Sequence, residues 1–341
     1  MSSVTITEVA LRAGVSMKTV SRVLNAEPHV REEVRERVLA AAKELRYRPK
    51  VSARSLAGAR SYVVGYLLGD PSVPYTAQAQ LGALAACRRA GYHLLVEAVD
   101  LAAPDLAAEL EPLFATLSVD GILLTPPYCD NRAILDALDA ARVPYARISP
   151  GVEPQRSPHV EADDRRAAHD MTDYLIGLGH RDIGFVAGHP EHGATRRRLD
   201  GYRQALKQRG LPYREELAAP GDFTFASGYA AAERLLASER RPTAIFASND
   251  DMALGVLAAA QERGLKVPAE LSVAGFDDSP TAAMVWPRLT TVRQPIADMA
   301  RAATEMLIAG AAKGARAEAP VQQLLHCELI VRASTAAPPR A

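Results

Sequence analysis

Polar and apolar positions along the chain follow two different patterns. Over residues 5–46 apolar side chains return every three or four positions, the spacing of one helix face. Ile6, Val9, Ala10 and Ala13 make one short stripe, Val20, Val23 and Leu24 a second, and Val34, Val38, Leu39, Ala42 and Leu45 the inner stripe of a third. Thr5 and Glu8 have the spacing of a capping box that opens the first helix. Gly14 closes it, because a left-handed turn costs glycine little. Ser16 is a good N-cap for the second helix. The third, over 31–46, ends before Pro49, which pushes residue 48 out of helical space. From residue 61 the pattern changes. Short apolar runs at 62–68, 93–98, 121–124, 145–148, 183–187, 244–247 and 272–276 read as buried strands, with amphipathic helical stretches between most of them. This alternation predicts parallel sheets built by right-handed crossovers. The strands are too many for one small sheet, so two doubly wound subdomains are expected, split near residue 161. No heptad pattern follows Arg332, which argues against a C-terminal coiled coil.

Composition adds a division of charge. The chain of 341 residues is neutral overall, yet residues 1–60 hold twelve Lys/Arg against six Asp/Glu, and the remainder carries the opposite excess. A basic head on an acidic body suits a protein whose head alone meets a polyanion. Apolar residues make up 48% of the chain, which excludes wholesale disorder. The three cysteines, Cys87, Cys129 and Cys327, are widely spaced and read as buried thiols in a reducing compartment. With no apolar leader or membrane-length run, a cytoplasmic protein is expected rather than an exported binding protein.

The second helix turns Met17, Lys18, Ser21, Arg22 and Asn25 outward. Long donors and an amide on one face are the groups that read base edges in the major groove. Two short helices with such a face make a helix-turn-helix, and a DNA-binding head is the stronger reading over an ordinary helical hairpin.

The chain resembles the lac-repressor (LacI/GalR) family of bacterial transcription regulators along effectively its full length. The motifs are Val-Ala-Leu-Arg-Ala-Gly-Val-Ser-Met-Lys-Thr-Val-Ser-Arg-Val-Leu-Asn (9–25), Arg-Tyr-Arg-Pro (46–49) and Ser-Leu-Ala-Gly (55–58) in the head and hinge. In the body they are Leu-Gly-His-Arg-Asp-Ile-Gly-Phe (178–185), Arg-Leu-Asp-Gly-Tyr (198–202), Ala-Ser-Asn-Asp-Asp-Met-Ala-Leu-Gly (247–255), Val-Ala-Gly-Phe-Asp-Asp (273–278), Leu-Thr-Thr-Val-Arg-Gln-Pro (289–295) and Glu-Leu-Ile-Val-Arg-Ala-Ser-Thr (328–335). Two positions depart from the family: Arg31 where Ser or Thr often opens the third helix, and Ser-Val-Pro-Tyr (72–75) in place of Asn-Pro-Phe/Tyr. The resemblance implies an α/β protein with an N-terminal helix-turn-helix DNA-binding head (1–49), a hinge helix (50–60) and a periplasmic-binding-protein-like core of two doubly wound parallel-sheet subdomains (61–341). The N-subdomain would take 61–161 and 294–322, the C-subdomain 162–293 and 323–341, with crossings near 161, 293 and 322.

It further implies a homodimer on a pseudo-palindromic double-stranded operator, controlled by a small molecule, usually a mono- or oligosaccharide, held between the subdomains. Met17, Lys18 and Arg22 would touch bases; Ser16, Thr19, Ser21, Asn25 and His29 would lie along the phosphates, and Thr5 would also be a DNA-binding residue. Ala53 and Leu56 would serve the hinge, with Leu56 a minor-groove wedge when two hinges pair. A hinge helix this short is unstable alone in water. Phe223 would be the platform for a sugar ring and Gln294 would reach in from a crossing, while Tyr75, Thr125 and Ser149 would line the other subdomain's side.

Part of the ligand site follows without the family. In open α/β sheets ligands bind beyond the carboxyl ends of strands. Arg198 follows the run 183–187 across a short loop, Asn249 follows 244–247, and Asp277 follows 272–276, so all three share one sheet edge. Arg196, Arg197 and Arg198 also open a helix, where the dipole disfavours cations, which calls for a partner. A solvated basic turn accounts for Arg196 and Arg197, but the resemblance places Arg198 at the family's Arg-x-x-Gly-Tyr position, where that reading does not hold. An Arg, Asp, Asn and Phe set suits vicinal hydroxyls and an apolar ring face. More cationic groups there, Arg197 or Arg147, would instead favour a phosphosugar; a purine is the other same-fold alternative.

Other motifs lead nowhere. The glycines of 177–184 end a helix before a strand, the reverse of a dinucleotide fingerprint. Pro190 prevents a regular helical pairing of His189 with His192, and no third ligand is near, so no metal is expected. Asp277 and Asp278 are neighbours at a strand end and point apart, no nucleophile elbow occurs, and no enzyme or cofactor is expected.

Overall fold

Apolar stripes at helical spacing form three short helices in the head: α1 (Ile6–Ala13), α2 (Met17–Leu24) and α3 (Glu32–Glu44). The computed structural model describes residues 4–24, 30–47, 60–70, 73–238, 240–313 and 322–339. Asn25, His29, and the hinge residues Ala53 and Leu56 therefore lie outside the described residues. The Glu8 carboxylate accepts the Thr5 backbone N–H at 2.7 Å and the Thr5 hydroxyl at 2.9 Å, closing the capping box. Gly14 ends α1 at φ 66°. The Ser16 hydroxyl accepts the Thr19 N–H at 3.1 Å and starts α2. Val9, Val20 and Val38 are fully buried at the centre of the head. Leu39 corrects the expected inner stripe of α3: it is 48% exposed, and Ala41 packs inward instead. At about 100° per residue, positions 38, 41, 42 and 45 share a face that 39 leaves.

The chain divides into two compact units, Met1–Tyr62 and Val63–Ala341. The second is α/β. Its strands are β1 (Val63–Leu68), β2 (His93–Ala98), β3 (Gly121–Leu124), β4 (Tyr145–Ile148), β5 (His159–Ala162), β6 (Ile183–Val186), β7 (Ala218–Ala219), β8 (Ala244–Ala247), β9 (Ser272–Ala274), β10 (Thr291–Arg293), β11 (Gln322–Leu325) and β12 (Glu328–Ile330). One sheet runs β11-β5-β4-β3-β1-β2 and the other β7-β6-β8-β9, every described pairing within them parallel. Central strands β3, β4, β6 and β8 are buried throughout, which is why they read as apolar runs, broken only by the fully buried Arg147 of β4.

The chain moves between sheets at strand ends. After β5 it enters the helix Asp164–Gly177, whose Ala168, Met171 and Leu175 pack with Phe185 and Tyr202 of the second sheet's layer. After β10 it enters the helix Ile296–Lys313. After β11 it passes into β12, which pairs antiparallel with β10. Because Gln322–Leu325 is a strand of the first sheet, this last passage comes after Leu325 rather than near 322. The strands absent from the hydropathy reading are the two-residue β7 and the strands β5, β10, β11 and β12, whose three or four residues mix polar with apolar side chains and so form no apolar run.

Candidate functional site

In the head, α2 carries the side chains expected to meet DNA. Met17 and Lys18 are exposed, while Thr19, Ser21 and Arg22 are half-buried along the same helix. The Thr7 hydroxyl lies 3.3 Å from the Met17 sulfur, which steers that thioether to one side. Val20 and Val23 anchor the opposite face in the core. Thr5 and Ser16 occupy the two helix starts, where Thr5 is held in the capping box with Glu8 and Ser16 caps the Thr19 N–H.

In the second unit, parallel strands aim their carboxyl ends from both sheets at a cavity of about 310 Å³, at the small end of small-molecule sites. Thr125 follows β3, Ser149 follows β4, Asn249 follows β8, and Asp277 stands just past β9. The lining brings together Arg198, Asn249, Asp277, Phe223, Gln294, Tyr75, Thr125 and Ser149, all eight residues expected to hold a ligand.

Arg198 is the electrostatic centre. It is 3% exposed. Its Nε donates to Asp164 Oδ1 at 2.8 Å, one Nη to the Ser248 carbonyl, and the other to Gln294 Oε1 at 3.4 Å. The guanidinium also sits 3.9 Å from Asp277 Oδ1 and lies over the Phe276 ring at 3.6 Å. Burial opposes its charge, but Asp164 and Asp277 outweigh that and hold its pKa above the ordinary value. Burial drives the Asp277 carboxyl well up; Arg198 pulls it back and Asp250 pushes it further.

Asp164 is the partner that the arginine run called for, and the sequence did not locate it. It is fully buried at the start of the neighbouring helix, and its second oxygen accepts Arg197 Nε at 3.1 Å. Arg197 then donates across the cleft to the carbonyls of Ser149 and Pro150, each at 3.2 Å. The solvated-turn reading thus fails for Arg197, which ties the two subdomains together, and it describes Arg196, which is exposed. Beside this tie Gly151 and Gly193 meet backbone to backbone; a Cβ on either would lie 2.5–2.7 Å from the other's Cα. Asp130 fixes the Gly151 loop by accepting its N–H at 2.8 Å.

Other groups are already engaged. Asn249 caps the helix Asp250–Glu262, accepting the Met252 N–H at 2.9 Å, and donates to the Phe223 carbonyl at 2.9 Å, so it also holds the platform residue. Phe223 takes φ 71°, and its ring stacks on His192 with centroids 5.2 Å apart. Burial pulls the His192 pKa down to about 4, helped by His189 and Arg198, so the ring is neutral. Thr125 shares a hydrogen bond of 3.2 Å with the Tyr66 hydroxyl. The Ser149 hydroxyl is buried without a hydrogen-bond partner among the described residues. Burial pushes Asp250 up to about 7 although Thr291 Oγ1 donates to it at 2.6 Å and the Ser279 N–H at 2.7 Å. Asp250 was missed in the sequence, and His192 was weighed there only as a metal ligand. Each sits one helix start away from a recognised residue, but nothing in its spacing marks it as buried. The adjacent Asp277 and Asp278 do diverge: Asp278 pairs with Arg293 and Arg332 outside the cavity lining. No group of three or more His, Cys, Asp or Glu among the described residues could hold a metal, and no described helix is long and apolar enough to cross a membrane.

A helix-turn-helix head joined in one chain to two parallel-sheet subdomains around a ligand-sized cavity defines a DNA-binding transcriptional regulator, and the chain belongs to the LacI family. Residues 5–50 match the model for bacterial regulatory proteins of the lacI family, and residues 172–335 that for a periplasmic binding protein-like domain. The chain is 36% identical over 308 residues to catabolite control protein A of Priestia megaterium, covering 89% of this chain and 92% of that protein. It is 35% identical over 319 residues to the HTH-type transcriptional repressor PurR of Erwinia tasmaniensis, covering 89% of each. Among solved structures it is similar to the transcriptional regulator CelR in complex with cellobiose, with TM-score 0.75 and 32% identity over 97% of this chain and 99% of that one. It is also similar to the lac repressor dimer bound to operator and the anti-inducer ONPF, with TM-score 0.76 and 28% identity over 98% and 100%. These relatives are transcriptional regulators rather than enzymes.

Proposed function

We propose that the protein is a cytoplasmic repressor of carbohydrate-utilisation genes whose operator affinity is set by a neutral sugar in the cavity between the subdomains. The observation that carries this reading is the charge of the lining. The described lining carries Asp70, Asp222, Asp250, Asp251 and Asp277 and one cationic side chain, Arg198, which is already paired with Asp164; burial raises Asp250, Asp251 and Asp277 toward their neutral, hydrogen-bond-donating form. A phosphosugar would find no unpaired Lys or Arg in the described lining and would meet the carboxylates of Asp70 and Asp222. A polyol meets hydrogen-bonding groups and the Phe223, His192 and Tyr75 rings, the mixture that sugars favour. The cellobiose held by the similar CelR supports the same class. No specific observation favours a purine.

Operator recognition falls to Met17, Lys18 and Arg22 for bases, with Ser16, Thr19, Ser21, Asn25 and His29 at phosphates, Thr5 also binding DNA, and Ala53 and Leu56 at the hinge. Two heads on a pseudo-palindrome call for a homodimer. Edge strand β2 supports it: Leu95 and Val96 are exposed there, and Leu81 of the adjoining helix Pro74–Ala90 is 64% exposed, a surface that an isolated subunit would leave prone to pairing. A sugar bound to Arg198, Asn249, Phe223, Asp277 and Gln294 on one side and Tyr75, Thr125 and Ser149 on the other favours one closure of the cleft, and a coupling of about 1–3 kcal/mol shifts operator affinity by one to two decades. A thermal-shift screen of neutral and phosphorylated sugars tests the reading, because a true effector raises stability by mass action. Neutral sugars are expected to shift the transition and to weaken operator binding in a gel-shift assay. Stabilisation by phosphosugars alone would overturn it.

A further inference from the structure

A second cavity, of about 640 Å³, adjoins the first. The two share only Pro127 and His192 in their linings. His192 is placed to serve both. Its ring stacks on Phe223 in the first cavity and tilts against His189 at 5.2 Å on its other contact. Its nitrogens make no hydrogen bond to any described residue, so a neutral ring keeps one donor and one acceptor for a ligand.

The polar groups of the second cavity divide into two sets. Asp130 is taken by the N–H groups of Gly151 and Val152, Asn131 caps a helix through the Ile134 N–H, and Arg132 pairs with Glu153. These three build the wall. Glu191 and Arg196 also line the cavity, yet their side chains have no hydrogen bond or ion pair with any described residue. Both stand at the start of the helix Gly193–Gln208, on the same stretch as His192. One carboxylate and one guanidinium supply acceptors and donors for hydroxyls, with no net charge to demand a charged ligand.

We propose that the second cavity is a subsite for a further sugar unit, so that the effector is a saccharide of at least two rings, its linkage passing between Pro127 and His192 and its outer ring meeting Glu191 and Arg196. This rests on the neutral-sugar reading above and specifies its length. The first cavity, of about 310 Å³, is at the lower end of the range of ligand sites and suits one small ring, and a glycosidic link is the natural way for a neutral polyol to continue into an adjoining polar cavity.

The test is calorimetric titration of the full chain with matched series: glucose with cellobiose, cellotriose and maltose, xylose with xylobiose, and mannose with mannobiose. In the series that binds, the disaccharide is expected to bind about tenfold or more tighter than its own monosaccharide. The double variant Glu191→Ala/Arg196→Ala should remove most of that advantage and leave monosaccharide affinity unchanged. Both substitutions are at exposed positions without described side-chain partners, so the fold is retained, and a matching thermal midpoint confirms it. Equal affinity for mono- and disaccharide, or a double variant that keeps the full advantage, overturns the second subsite and leaves the sugar reading standing. If none of these saccharides binds while phosphosugars do, the sugar reading falls and the subsite with it.

Discussion

The head and the cavity solve recognition in opposite ways. On α2, Met17 and Lys18 point into solvent, held by a few local contacts and a small valine core. In the cavity, Arg198, Asp164, Asn249 and Asp250 are buried and hydrogen-bonded to partners distant in sequence. The difference follows from what each meets. A polyanion brings its own field, so the head needs only unscreened donors on a rigid face. A neutral ligand brings none, so the cavity has to hold its polar groups in place beforehand, and burial makes each one costly to leave unpaired.

Salt is expected to separate the two regions most widely. Operator affinity should fall about a thousandfold or more between 50 and 200 mM salt as counterions are released, while effector affinity, resting on buried groups, should change less than about threefold. Parallel titrations with labelled operator and with sugar measure both, and equal slopes would erase the contrast.

Arg198→Ala comes next. Removing one partner of a buried ion pair costs about 3–5 kcal/mol, and here it leaves the fully buried Asp164 to Arg197 alone. The variant should unfold at lower urea and lose its effector response, while any folded protein still binds operator. Wild-type effector potency would show that the cavity has been misread. On the other side of the comparison, Lys18→Ala should leave stability untouched. It should relax base preference at one or two positions per half-site by about 1–3 kcal/mol. A loss equal across all sequences would make Lys18 a phosphate contact instead.

The cavity also predicts two opposed pH slopes. Asp250 titrates near 7 in the folded chain, raised by burial from 3.8. Between these values only the folded state keeps the proton, so its contribution is full at low pH and is lost as pH rises toward 7. His192 is lowered to about 4 from 6.5, first by burial. There only the unfolded state binds the proton, so its contribution is full above 6.5 and is lost as pH falls toward 4. Each slope is at most about 1.4 kcal/mol per pH unit. Denaturation from pH 4 to 7 should therefore show stability rising more steeply with pH in Asp250→Asn than in the parent, and less steeply in His192→Phe. Identical profiles for both variants would remove these groups from the pH dependence.

Much of this contrast could be read from the order of residues, and the part that could not has a common cause. The head is local: Thr5 with Glu8, Gly14, Ser16 and the valine stripes act within a few residues of one another, so periodicity and caps define it, and Leu39 went astray only because a stripe five residues wide overreads a narrow face. The sheet-edge rule placed Arg198, Asn249 and Asp277 together because parallel strands end alike. Nothing local joins Asp164 to Arg197 and Arg198, thirty-three and thirty-four positions away, or seats His192 on Phe223, or brings Gly151 against Gly193. Strands of two to four residues are likewise made by their neighbours, as β11 is by β5 and β12 by β10. The sequence determined the elements, the basic head and the residues at the strand ends, because those depend on short-range sterics, hydrogen bonding and hydropathy. Only the tertiary structure decided which buried charges pair, which residues line each cavity, and which residues two cavities share, because those depend on contacts closed through long loops.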